Sequence, residues 1–239
     1  MTALSQPRSG WGLYLRWIFA NALGEMIGLG LTFAVGIGLA LQIGEPQGIG
    51  VAVGLGLLMV ASGAIEGVVI GNVQWWAMQV ALPEIIRREW VAATLIGALV
   101  AWTIGSIPTT MMSMSTEQTV TPAVEPETSL VLLMAGLMGA VLGIILALAQ
   151  WLVLRKHVRN AWWWLPANSA AWLVGMPVVF AAVDLAQNAD TSVRALLIFA
   201  GALALTGAVV GAIHGIVLVK FSYRRFNDKA QSTRPWNTI

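Results

Sequence analysis

The sequence contains no cysteine. Disulfides, thiolate metal sites and cysteine nucleophiles are thereby excluded. Charge is also scarce: Asp, Glu, Lys and Arg make up 10% of the residues, against roughly 25% in an average soluble domain. With two histidines in the chain, there is no His-Glu-x-x-His zinc spacing, no glycine-rich phosphate loop and no Gly-x-Ser-x-Gly elbow. A non-enzymatic protein with no metal and no cofactor is the expectation. Long polar linkers are missing too, with one exception at residues 109–128, which carry Glu117, Glu125 and Glu127 and no basic residue.

Apolar sequence fills the space these absences leave. Of 239 residues 58% are hydrophobic, and the mean hydropathy is +0.78. A bilayer core of about 30 Å takes about 20 apolar residues per helical span. Six spans fit, at about residues 11–42, 49–82, 90–107, 129–154, 161–183 and 193–221, with a loop at 109–128 and a basic tail at 222–239. The expected fold class is an all-α polytopic transmembrane bundle of six helices. The first span is too long for a signal peptide and lacks a small-residue cleavage pattern, so it reads as retained.

Twelve of the 13 Lys and Arg residues fall on one side of this arrangement: Arg8, Arg16, Arg87, Arg88, Arg155, Lys156, Arg159, Lys220, Arg224, Arg225, Lys229 and Arg234. Only Arg194 falls on the other. The positive-inside rule then puts both termini in the cytoplasm and the loop bearing Glu117 outside. The sequence pI near 9.4 reflects these loop and tail residues, so lipid, not nucleic acid, is the expected surroundings. Trp11, Trp17, Trp75, Trp76, Trp90, Trp151, Trp162, Trp163 and Trp164 fall near the same ends and read as an interfacial belt.

A pattern recurs through the spans. Gly67, Gly71, Gln74 and Trp75 return as Gly143, Ala147, Gln150 and Trp151, and in weaker form as Gly207, Gly211, His214 and Gly215. Offsets of four and three place these residues on one helical stripe. Gly63 and Gly139 extend the first two stripes by another four residues. Three glycines in one helix would cost roughly 2–3 kcal/mol in water relative to alanine; in lipid they let two backbones approach closely. The odd-numbered spans recur as well: Trp17, Ala20 and Asn21, then Trp90, Ala93 and Thr94, then Trp164, Ala167 and Asn168. Three two-helix hairpins in one orientation are the implied repeat, an arrangement of parallel repeats that transporters use.

Gln150, Trp151, Leu152, Val153, Leu154 and Arg155, followed by Trp163 and Trp164, resemble a group of uncharacterised bacterial multi-pass membrane proteins. These carry Gln-Trp-x-x-Leu-Arg segments between glycine-rich spans. The likeness covers the second to fifth spans. Trp76 and Met78 stand where Leu152 and Leu154 do, and the sixth span lacks the Gln-Trp pair. What the resemblance implies is a six-span fold in a bacterial inner (plasma) membrane, with no assigned activity.

Ionisable groups within a span cost about 2.5–3.5 kcal/mol each at the helix centre and are candidates for function. Glu25 lies about 12 Å beyond Trp17, Glu66 about 15 Å from Trp76 and His214 about 9 Å from Lys220, at 1.5 Å per residue. The short connection between the first two spans makes Glu25 and Glu66 neighbours at similar depth. Asn21, Glu25, Gly28 and Thr32 form one ridge on the first span. A proton or cation site made by Glu25, Glu66 and His214 is one expectation; packing through protonated carboxyl groups is the other. Two functional classes follow: a small proton- or cation-coupled transporter or channel, and a structural or assembly subunit of a larger membrane complex, with or without pigment. Either accommodates a homo-oligomer.

Overall fold

In a bilayer each backbone N–H and C=O must find its partner within the protein, and an apolar span does so as a helix. A computed structural model describes residues 10–43, 48–115 and 126–232. Glu117 and Glu125 of the acidic loop, and Arg8 and Arg234 of the terminal segments, lie outside the described residues. The helices are α1 (Gly10–Ile43), α2 (Ile49–Met78), α3 (Arg87–Ser115), α4 (Thr128–Leu154), α5 (Trp164–Gln187) and α6 (Ser192–Ser232), with a 3-10 turn at Ala161–Trp163 before α5. All six are long and apolar enough to cross a membrane. The protein is an all-helical, multi-pass bundle.

Several ends differ from the sequence expectation. α3 does not stop before Pro108 but continues through it to Ser115, because in a transmembrane helix the groups a proline frees can be satisfied by neighbours and by side chains. α6 does not end at 221 but runs on to Ser232; no glycine or proline interrupts the sequence between Gly215 and Pro235. α2 stops earlier, at Met78, and α5 continues to Gln187.

The helices form a closed ring in chain order. Each packs against its two chain neighbours, and α6 returns to α1. The start of α1 and the end of α6 meet, where the Gly10 amide donates to the Tyr223 hydroxyl at 3.1 Å. Arg16, Arg87 and Arg155 share this end of the ring, hereafter the basic end. There Arg16 stacks 3.7 Å over the Trp76 ring, and Lys156 pairs with Glu89 at 2.9 Å.

Small residues set the seams. A Cβ on Gly67 would stand 2.8 Å from Leu95 Cα, one on Gly71 2.9 Å from Val91 Cα, and Gly63 lies under the Trp102 ring. The α2 stripe therefore rests on α3. Gly139 lies against the Trp172 carbonyl, and a Cβ on Gly143 would stand 2.6 Å from that of Asn168, so the α4 stripe rests on α5. Gly207 lies against the Asn21 carbonyl, and a Cβ on Gly211 would stand 3.1 Å from Ile18 Cα, so the α6 stripe rests on α1. Within each sequential pair, Gly28, Gly97 and Gly175 on the odd helices face α2, α4 and α6.

The tryptophans correct another expectation. Trp17, Trp90 and Trp164 are fully buried and belong to no interfacial belt. They meet inside the ring at the basic end, with ring centroids 6.0 Å apart for Trp17 and Trp164 and 6.2 Å for Trp90 and Trp164. Met78, Leu82, Leu154, Leu218 and Phe221 pack around them. Three indoles fill a central space that six helices of smaller residues would leave open. Trp11, Trp76, Trp162 and Trp163 are exposed, as residues of a belt are.

Candidate carboxylate site

One helical turn beyond the tryptophans, a layer of polar side chains connects all six helices. The Trp164 indole donates to Gln150 Oε1 at 2.8 Å. The Gln150 amide nitrogen donates at 3.0 Å both to Gln74 Oε1 and to Thr94 Oγ1. The Gln74 amide nitrogen donates to Asn21 Oδ1 at 2.8 Å, and the Trp17 indole donates to His214 Nδ1 at 2.8 Å. Asn21, Thr94 and Asn168 each bond back to the carbonyl four residues earlier, those of Trp17, Trp90 and Trp164. Because Nδ1 of His214 accepts a hydrogen bond, it carries no proton and the ring is neutral in this arrangement. Buried amides in hydrocarbon must be paired, and here each helix supplies a partner for another.

Beyond this layer lie the two carboxyl groups. α1 and α2 cross closely at Gly28, where an added Cβ would stand 3.0 Å from Glu66 Cα. This crossing brings Glu25, one turn away on α1, to Glu66. Glu25 is 2% exposed, and its Oε2 has no hydrogen-bond partner among the described residues. Glu66 Oε2 accepts from the Trp102 indole at 2.7 Å. Glu25 and Glu66 line one small void together with Gln74, Thr94, Asn168 and His214. All three candidate ionisable residues thus meet, with the Nδ1 of His214 occupied by Trp17. Among the described residues no three metal-ligating side chains gather.

On its other side Glu66 faces a cavity of about 650 Å³. Leu29, Phe33, Met59, Ala101, Met138 and Met176 are among its walls, and Glu66 and Trp172 line both it and the small void. It reaches Ala52, Val131 and Gln187, near the start of α2, the start of α4 and the end of α5. Ala52 is about 21 Å from Glu66 along α2 at 1.5 Å per residue, so the cavity runs toward the end opposite the basic one. Asp184 also lines it.

No family model, curated protein or solved structure matches the chain. The site must therefore be read from its own geometry.

Sequence reasoning singled out Glu25, Glu66, His214, Asn21, Asn168, Gln74, Gln150 and the glycines Gly63, Gly67, Gly71, Gly139, Gly143, Gly207 and Gly211 as candidates. It missed Trp102, the partner of Glu66, and the cavity. The missing signal for Trp102 was weak: it stands twelve residues after Trp90, a spacing that a helix places within about 120° of the same face. The recurrence of Trp17, Trp90 and Trp164 ahead of Asn, Thr and Asn held more information, since those polar side chains face inward.

Proposed function

We infer that this protein is a small proton-coupled transporter in which Glu25 and Glu66 are the titrating pair. One observation carries the reading: Glu66 forms the floor of a large cavity and also faces a buried carboxyl group whose oxygen lacks a partner among the described residues. A carboxyl group can exchange a proton with whatever fills the cavity, and a second one can receive or replace that proton. The filled basic end supports a transporter over a standing channel, because the buried Trp17, Trp90 and Trp164 pack against one another inside the ring. The glycine seams supply interfaces along which helices can shift. The three stripes with their Trp and Asn or Thr counterparts support an internal threefold repeat, and the basic residues support a cytoplasmic basic end, with the cavity facing outward. A bacterial plasma membrane is the proposed location, following the Gln-Trp-x-x-Leu-Arg likeness.

The test requires no substrate. Purified protein in proteoliposomes on a solid-supported membrane is subjected to a pH jump. A transient displacement current is expected from the parent and is lost in Glu66→Gln. Equal currents from the parent, Glu25→Gln and Glu66→Gln would rule out the carboxyl pair as the proton site.

A further inference from the structure

The cavity walls specify a class of ligand. Volumes of about 300–1,000 Å³ are usual for sites that enclose drug-sized molecules, and this one has about 650 Å³. Among the described residues its titratable wall residues are Glu66 at the floor and Asp184 toward the mouth, and no Lys, Arg or His lines it. The arginines on the wall-forming helices, Arg16 on α1 and Arg87 and Arg88 on α3, stand at the basic end beyond the tryptophan layer. Aromatic rings flank the floor. Trp102 holds Glu66, and Phe33 meets the Trp102 ring edge to face at 6.2 Å. Apolar walls, ring faces and acidic groups with no opposing cation attract an organic cation and repel an anion. An inorganic cation would find too few oxygens at Glu66 to replace its hydration shell.

We propose that the cavity binds a lipophilic monovalent organic cation, an ammonium or phosphonium centre carrying aryl or alkyl groups, with its charge at the Glu66 carboxylate and its apolar groups against Phe33, Trp102 and the methionines. This rests on the proton-coupled reading and names the substrate class of the same site. A proton and a monocation compete for one carboxylate. Binding the cation releases one proton, and the floor of the cavity stays neutral in both states, as a site in hydrocarbon requires. The titratable groups facing Glu66 are Glu25 from α1 and His214 from α6 across the small void, with Asp184 of α5 farther out along the cavity; α3 and α4 present none. The Met59, Met138 and Met176 side chains adapt to ligands of different shape.

The probe is tetraphenylphosphonium, titrated into the full-length protein in mild detergent. Binding is read by calorimetry and proton release by a pH indicator in weak buffer. The parent is expected to bind it and release one proton, while tetraphenylborate, the anion of the same shape, binds far more weakly. Glu66→Gln is expected to weaken phosphonium binding by roughly tenfold or more and to abolish proton release; Glu66→Asp retains both. Ala101→Phe, which narrows the cavity and leaves the acids in place, weakens binding as well and serves if Glu66→Gln does not fold. Equal binding of the two probes, or unchanged phosphonium binding in Glu66→Gln, overturns the proposal and leaves a cavity for neutral lipid tails. No bilayer is involved, so binding without displacement current rejects transport alone. Displacement current without binding rejects the ligand class alone.

Discussion

At the basic end the six helices enclose a filled interior; toward the other end five of them, α1 to α5, part around a cavity. The difference can be followed residue by residue along the odd helices. At the first inward position α1, α3 and α5 carry Trp17, Trp90 and Trp164, and one turn on they carry Asn21, Thr94 and Asn168. Chemically similar side chains meet on the axis, and close packing follows. One turn farther the positions hold Glu25, Ala98 and Trp172. From there the helices differ, and beside Trp102 α3 offers the small residues Ala98, Ala101, Gly105 and Ser106 toward the cavity. The α3–α4 seam shows the consequence. A Cβ on Gly97 would stand 3.0 Å from the Leu146 carbonyl, while one on Gly105 would meet only the Leu142 side chain, at 3.5 Å. The seam is tight near the polar layer and looser beyond it. A ring of similar residues makes a seal, and departures from that similarity make room for a site.

The sharpest way to break this comparison is to load the seams. Gly143→Leu places a branched side chain where the Asn168 carbonyl stands, and overpacking against backbone cannot be relieved by a rotamer change. We expect a loss of stability exceeding ~3 kcal/mol, read as the disappearance of the monodisperse peak after extraction. Gly54→Leu and Gly201→Leu, at positions where an added Cβ has nothing within 4 Å, are expected to extract as the parent does. A Gly143→Leu protein that melts at the parent temperature would show that the α4–α5 seam is not held by close approach.

The polar layer gives the next largest effect. Gln150→Leu preserves much of the volume but removes the acceptor for the Trp164 indole and the donor to Gln74 and Thr94. Interhelical hydrogen bonds in membranes are worth about 0.6–2 kcal/mol each, and orphaning their partners adds to the loss. We expect destabilisation of roughly 2–4 kcal/mol, measured as a fall in the thermal midpoint of the detergent-solubilised protein. Phosphonium binding in the hollow half should persist below that midpoint. If Gln150→Leu melts like the parent, the layer does not fasten the ring.

The sequence made much of the filled half readable and little of the hollow half. Span number and approximate ends follow from hydropathy alone, and the proximity of Glu25 and Glu66 follows from their depth and the short connection between their helices. The glycine stripe was visible, but not the helix it rests on, because small residues fit any neighbour and only closure of the ring selects α3, α5 and α1. In a soluble protein hydrophobic periodicity separates inside from outside. Here both faces of each helix are apolar, and Trp17, Trp90 and Trp164 could not be told by hydropathy from the exposed Trp11 and Trp76. The inward face is marked instead by small and polar residues, as Asn21, Gln74, Gln150 and Asn168 illustrate. The cavity depends on how far α3 and α4 diverge between Gly97 and Gly105, and a difference of that size leaves no local mark. Pro108 misled because the rule that ends a helix at proline assumes water on the far side.

The smallest effect separates the halves most cleanly. Leu218 is 1% exposed and sits in the tryptophan plug, so Leu218→Ala leaves a void surrounded by atoms that cannot follow, and such truncations cost about 2–5 kcal/mol. Met138 is half-buried and faces the cavity. Removing its side chain enlarges a space that already exists, so few dispersion contacts are lost and no new enclosed void forms. Met138→Ala is expected to cost less than about 1 kcal/mol, a shift of a few degrees at most in the thermal midpoint. The two substitutions remove comparable apolar bulk, so a difference in their midpoints measures how filled each half is. Equal midpoints would mean that the cavity collapses around Met138 in the detergent-solubilised protein, and the hollow half would then be no more open than the plug.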